Sequence, residues 1–159
     1  MLRIGGINVI GVVLATIAFY MIGFLFYGLF FKDVWTAHTL ASTGVAELDS
    51  IRQMTPERLE AAWYKAFPDA NPTLLMGLGF LNTLITTIVL AVVLRFLTAG
   101  AATIASYAGF ALLLAIGFSI TSISYDHIYA GKSLILFWID TAHICIGFIV
   151  SAVILSLFE

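Results

Sequence analysis

Four long apolar stretches run along the chain, and most of its charge is gathered between the first two. Residues 5–31 contain no Asp, Glu, Lys or Arg, and about 20 helical residues suffice to cross a hydrocarbon core of about 30 Å. This stretch predicts a first membrane helix. The second, residues 72–98, opens at Asn71-Pro72, where Asn can cap the helix and Pro fits a position whose N–H would be unpaired anyway. Arg95 near its end can snorkel to the interface. Ala99-Gly100-Ala101 reads as a tight turn, so the third helix, residues 102–123, is expected as an antiparallel neighbour of the second. Residues 124–133 read as a short polar connection with interfacial Tyr125 and Tyr129, and the fourth helix covers 134–158. All four must be helices, because an open sheet edge in lipid leaves backbone groups unpaired.

The segment 32–71 has a different pattern. Ten of the charges lie in it: Lys32, Asp33, Glu47, Asp49, Arg52, Glu57, Arg58, Glu60, Lys65 and Asp69. Thr55-Pro56-Glu57 is a helix-start signal, after which Leu59, Ala62, Trp63, Ala66 and Phe67 recur at helical spacing until Pro68 stops the pattern. Residues 33–53, with Trp35 and a weaker pattern at Val45, Leu48 and Ile51, also read as helical. The expected fold is an all-α integral membrane protein: one membrane domain over 1–159, with four transmembrane helices and an amphipathic surface-helical segment between the first and second.

Composition agrees with a lipid solvent. Hydrophobic residues make up 62% and charged residues 10%, with a mean hydropathy of +1.08, against about 25% charged in an ordinary soluble domain. A net charge of −2 with scattered Lys and Arg speaks against a nucleic-acid partner. The single cysteine, Cys145, excludes an intrachain disulfide and any Cys-based metal cluster. The first stretch is too long for a signal peptide and ends in aromatics (Phe24, Phe26, Tyr27, Phe30, Phe31) rather than small residues, so it reads as a retained helix with an interfacial belt. Counting cations sets Lys32, Arg52, Arg58, Lys65 and Lys132 against Arg3 and Arg95, which leans toward a cytoplasmic 32–71 segment. No internal repeat or inverted hydropathy symmetry points to a secondary transporter.

The fourth stretch carries Asp140 and His143, two ionisable groups well inside a hydrocarbon segment. Such groups are costly in lipid and face protein or water. At 3.6 residues per turn, Asp140, His143, Gly147 and Ser151 share one face. Two readings stand. One is a proton or cation relay; the other is an interhelical hydrogen bond from Asp140 and His143 to Asn82, Thr86, Ser106 or Asn8, with Gly147 and Ser151 allowing close approach. A haem held by His143 is the weaker idea, because a second intramembrane His is missing, so no cofactor is expected. Polar or small faces occur on the other helices too: Asn8, Gly11, Ala15 and Ala18 on the first, Gly79, Asn82, Thr83 and Thr86 on the second, Ser106, Gly109 and Gly117 on the third. They fit helix packing, with a water path as the alternative. Asp126, His127 and Lys132 read as solvated loop charges. No nucleophile–base pair, Walker loop or metalloprotease motif occurs, so the chain is not expected to be an enzyme.

The layout resembles a family of small bacterial membrane proteins known as domain of unknown function 1761. The resemblance rests on Ile7-Asn8-Val9 at the head of a small-residue-rich first helix, Phe31-Lys32-Asp33-Val34-Trp35, the T-P-E-x-L-type helix, and Gly131-Lys132-Ser133-Leu134 leading into Phe137-Trp138-Ile139-Asp140. Where the family pattern has Trp-Tyr-Ser-Pro, this chain has Phe26-Tyr27-Gly28-Leu29. The resemblance implies four membrane helices in a bacterial cytoplasmic membrane and no activity. The expected role is a non-catalytic membrane subunit, homo-oligomeric or joined to another membrane protein and surrounded by lipid. The alternative is an oligomeric channel or transporter for a proton, ion or small solute that uses the Asp140–His143 pair.

Overall fold

A computed structural model describes residues 2–98 and 103–159, so the expected turn at 99–101 lies outside the described residues. Four helices are long and apolar enough to cross a membrane: Val9–Phe30, Pro72–Thr98, Ile104–Tyr129 and Leu134–Leu157. They confirm the all-α, four-span architecture.

The first helix does not begin at Gly5. Residues 3–8 form a small antiparallel hairpin, β1 (Arg3–Ile4) and β2 (Ile7–Asn8), with Arg3 opposite Asn8. Gly5 (φ 57°) and Gly6 (φ 83°) make its turn, a left-handed backbone that residues with a Cβ rarely adopt. Asn8 then caps α1 (Val9–Leu25), its side-chain oxygen accepting from the N–H groups of Ile10 (3.0 Å) and Gly11 (3.4 Å). A single π-turn, Phe26–Phe30, ends the span, closed by the Phe31 N–H donating to the Phe26 carbonyl at 2.8 Å.

Segment 32–71 folds into three short helices: α2 (Lys32–Ser42), α3 (Leu48–Arg52) and α4 (Pro56–Ala66). Their apolar faces make a core of their own from Ala37, Leu40, Ile51 and Ala62, with Leu59, Trp63 and Phe67 packed against it. Pro68 lies just beyond the end of α4, as its fixed φ and missing N–H require. Near the start of α4, hydrogen bonds from the Glu57 backbone and the Thr55 hydroxyl hold the Glu57 carboxyl below the usual carboxylate range.

Helix α5 (Pro72–Thr98) begins at the expected cap, with the Leu74 N–H donating to Asn71 Oδ1 at 3.2 Å. The third span comprises α6 (Ile104–Leu114), a π-turn (Ala115–Ile120) and α7 (Thr121–Tyr129). It therefore runs past residue 123, and most of the expected polar connection is helical. Beside the π-turn, Thr121 Oγ1 donates to the Gly117 carbonyl (2.8 Å) and Ser122 Oγ to the Phe118 carbonyl (2.6 Å), so these hydroxyls are bonded within their own helix. Helix α8 (Leu134–Leu157) starts at Ser133, whose hydroxyl accepts from the Ile135 N–H.

The main core joins the early part of α1 (Val12, Ala15, Phe19), the late part of α5 (Leu90, Ala91, Leu94), the start of the third span (Tyr107, Ala111, Ala115) and the late part of α8 (Phe148, Ala152, Leu155). In this antiparallel arrangement all of these lie toward the hairpin end. The Thr98 hydroxyl donates to Tyr107 Oη there at 3.1 Å, tying α5 to its neighbour. Toward the other end, residues 72–82 of α5 and 116–118 of the third span are exposed. Close packing of α5 and of the third span is therefore confined to one half of the bundle, whereas α1 and α8 stay packed along their length, with Leu136 and Ile139 buried near the other end; there α2 packs against the Phe26–Phe30 turn and α8.

Candidate functional site

The α1–α8 contact is built residue by residue from small groups facing large ones. Gly11 faces Phe158, and the Ala15 carbonyl accepts from Ser151 Oγ at 3.4 Å. Gly147 receives the Phe19 ring so closely that a Cβ there would overlap it. Gly23 receives the His143 imidazole, whose Nε2 lies 3.1 Å from where a Gly23 Cβ would stand. The series ends at Tyr27, which meets both Asp140 and His143. The face shared by Asp140, His143, Gly147 and Ser151 thus lies against α1 along its length, as the helical period requires.

At the open end this seam forms a three-residue polar cluster. Tyr27 Oη donates to Asp140 Oδ1 at 2.7 Å and lies 3.3 Å from His143 Nδ1. A phenol has a single proton, so with that proton on Asp140 its oxygen is an acceptor toward His143. The imidazole therefore carries its hydrogen on Nδ1, an assignment made from the bonding pattern. The ring is packed by Phe19 (centroids 5.4 Å apart), Phe26 (5.9 Å) and Tyr27 (5.1 Å). Nε2 is turned to the Gly23 backbone. Among the described residues, no three His, Cys, Asp or Glu side chains gather in a metal-holding group.

None of the expected partners of Asp140 and His143 stands beside them. Asn8 is at the hairpin end, where Nδ2 donates to the Phe158 carbonyl at 3.4 Å. Thr86 donates to the Asn82 carbonyl of its own helix at 2.9 Å, as a hydroxyl one turn ahead of a carbonyl commonly does. Asn82 itself is exposed in the middle of α5. Ser106 pairs with Thr103 at the start of its own helix, 3.1 Å away. Tyr27 takes their place. Its position at the end of an aromatic run made it read as a belt residue, although four-residue steps from Gly11 through Ala15, Phe19 and Gly23 lead to it.

The cluster is continuous with α2–α4. Tyr27 packs edge-on against Trp35 (5.6 Å), and Trp35 tilts against Trp63 (5.7 Å). These rings line a cleft of about 790 Å³, with Lys32, Asp33, Arg52 and Glu60 also on its walls. Beside it, α2 is pinned to the head of α8. His38 Nδ1 lies 2.8 Å from Ser133 Oγ, while Nε2 is buried with no hydrogen-bond partner among the described residues. Burial, and secondarily the Arg52 charge, hold the His38 pKa below the ordinary imidazole value. Asp126 and Lys132, expected as solvated loop charges, are exposed and form an ion pair at 2.5 Å.

Among known proteins, no curated protein and no solved structure matches the chain. A family model described as "Protein of unknown function (DUF1761)" matches residues 10–156, nearly the whole length over which the spans, the polar cluster and the cleft are distributed. The chain is therefore a member of the DUF1761 family, with a multi-pass, membrane-spanning helical fold.

Proposed function

We propose that this protein is a non-catalytic subunit of a membrane assembly, formed with further copies of itself or with another membrane protein in a bacterial cytoplasmic membrane. The observation that carries this is the open half of the bundle. Residues 72–82 of α5 are exposed around the whole circumference of the helix, and Asn82 lies exposed near mid-span. Against acyl chains an amide loses its hydrogen bonds, whereas another polypeptide can supply them. Gly77, Gly109 and Gly117 face open space, where a second helix can approach closely. The Lys32, Arg52, Arg58, Lys65 and Lys132 group lies at one end of the molecule, opposite Arg3 and Arg95, which favours a cytoplasmic position for α2–α4.

The test is gentle extraction followed by native mass spectrometry and by crosslinking through single cysteines placed at Leu74 and Leu78 in a Cys145→Ala background. The expected result is a defined oligomer or a stoichiometric partner, with Asn82→Leu weakening the association. A lone monomer with no crosslinked partner in native membranes removes this reading.

A second reading is favoured by one observation: Tyr27 bonds Asp140 and also lines the cleft. On this reading, an oligomer passes protons or small ions between the cleft and the Asp140–His143 pair. Proton or cation flux into liposomes that is lost in Asp140→Asn and His143→Ala supports it; flux unchanged by both rejects it.

A further inference from the structure

At the hairpin end, away from the polar cluster, α1 and α5 diverge enough to leave a groove of about 640 Å³. Its walls are apolar, with Val9, Val13, Leu84, Ile88 and Val92 among them, and its one charged lining residue is Arg95. Three features make Arg95 more than a cation that happens to snorkel. Its guanidinium donates to the Gly5 carbonyl, so the hairpin turn holds the head of the side chain. Gly6 has no Cβ, and one placed there would overlap the guanidinium. Among the described residues, no carboxylate lies within ion-pairing distance of Arg95. The β1–β2 turn therefore seats a guanidinium at the mouth of an apolar groove, with donors to spare and no counter-charge.

We propose that this groove is a specific site for an anionic phospholipid, with an acyl chain along the α1–α5 groove and the phosphate on Arg95. The chemistry is complementary at both ends. A planar guanidinium can give a phosphate two parallel N–H donors, and such charge-assisted pairs are stronger than neutral ones. The apolar walls accept a hydrocarbon chain at the depth where the bilayer supplies it. The lipid would lie in the leaflet opposite α2–α4, so this site is independent of the cleft and of the oligomer proposed above. A phosphomonoester without acyl chains would gain only the exposed ion pair, which is worth little in water.

The experiment uses the full chain in a neutral detergent. Thermal unfolding is followed with added phosphatidylglycerol, phosphatidylethanolamine of the same acyl chains, or glycerol phosphate, and native mass spectrometry reports retained lipid. Phosphatidylglycerol is expected to raise the midpoint well above the other two and to remain bound as one copy per chain. Arg95→Gln is expected to weaken its retention roughly tenfold or more, and Arg95→Lys to keep part of the preference. Should Arg95→Gln fail to fold, Val13→Trp fills the groove while leaving Arg95 in place, and is expected to lose retained phosphatidylglycerol. Equal stabilisation by both lipids, an equal effect of glycerol phosphate, or unchanged retention in Arg95→Gln or Val13→Trp overturns the proposal.

Discussion

Tyr27, in the π-turn that closes the first span, donates its hydroxyl proton to Asp140 in the last span at 2.7 Å. This bond joins the first and last spans at the half of the bundle where α5 and the third span lie exposed, and it provides an acidic group inside the span with a donor. Tyr27→Phe keeps the ring against Trp35 but leaves the Asp140 oxygen without this partner. Loss of one partner from a shielded polar group costs about 1–3 kcal/mol. A lowered thermal midpoint in detergent is the expected result, with Asp140→Asn milder because the amide oxygen still accepts. A Tyr27→Phe midpoint equal to wild type would mean that water already serves Asp140.

The seam below that bond predicts opposite outcomes for two glycines. A Cβ at Gly147 overlaps the Phe19 ring, which is itself fixed between Phe148 and His143, so Phe19 has nowhere to move. Gly147→Ala is expected to destabilise by about 1–3 kcal/mol, the range for an overpacked core. At Gly109 a Cβ meets nothing within 4 Å. Gly109→Ala is expected to be neutral or slightly stabilising in the monomer, since Ala is the better helix former. Circular dichroism melts of the two variants side by side would check this.

How far such relationships can be read from sequence depends on which physical signal carries them. Asn71-Pro72 and Ser133 mark helix starts in local chemistry, and α5 and α8 begin there. Gly5-Gly6 carries no charge, so hydropathy merges the hairpin into the first span; only the preference of consecutive glycines for positive φ separates them. The stretch 124–129 is polar and looks like a loop, yet it continues the helix of the third span, which hydropathy alone does not foresee. The face of Asp140, His143, Gly147 and Ser151 follows from the helical period alone. Which helix covers that face is a matter of tertiary packing, and periodicity within α8 holds no information about it. Hence Asn82, Thr86, Ser106 and Asn8 are all plausible partners from sequence, and nothing in the pattern of α8 singles out Tyr27.

Helices α2–α4 depend on Leu40, which is fully buried among Ala37, Ile51 and Ala62. Leu40→Ala is expected to cost about 2–5 kcal/mol by the cavity it leaves. Because this core is separate from that of the spans, the loss should fall on α2–α4 alone. Trypsin is then expected to cut at Arg52 and Arg58 much faster than in wild type, while the helical content of the spans persists. Equal cleavage rates would show that α2–α4 are held by something other than their own apolar core.

His38 gives the same region a pH dependence of defined sign. Its imidazole is buried, with Nδ1 at Ser133 and Nε2 unpartnered, and burial followed by the Arg52 charge lowers its pKa from the ordinary 6.5. The unfolded segment therefore takes up a proton before the folded one does as the pH falls. Stability is full above the unfolded value and declines on acidification below about 6.5, with a slope of at most about 1.4 kcal/mol per pH unit, until the folded-state pKa is passed. Protonation would place a cation among apolar groups near Arg52, and the α2 contact with the head of α8 would loosen. Protease sensitivity of the 43–55 region is thus expected to rise between neutral and mildly acidic pH, and His38→Gln is expected to flatten that rise. If the variant keeps the full pH response, the titrating group lies elsewhere.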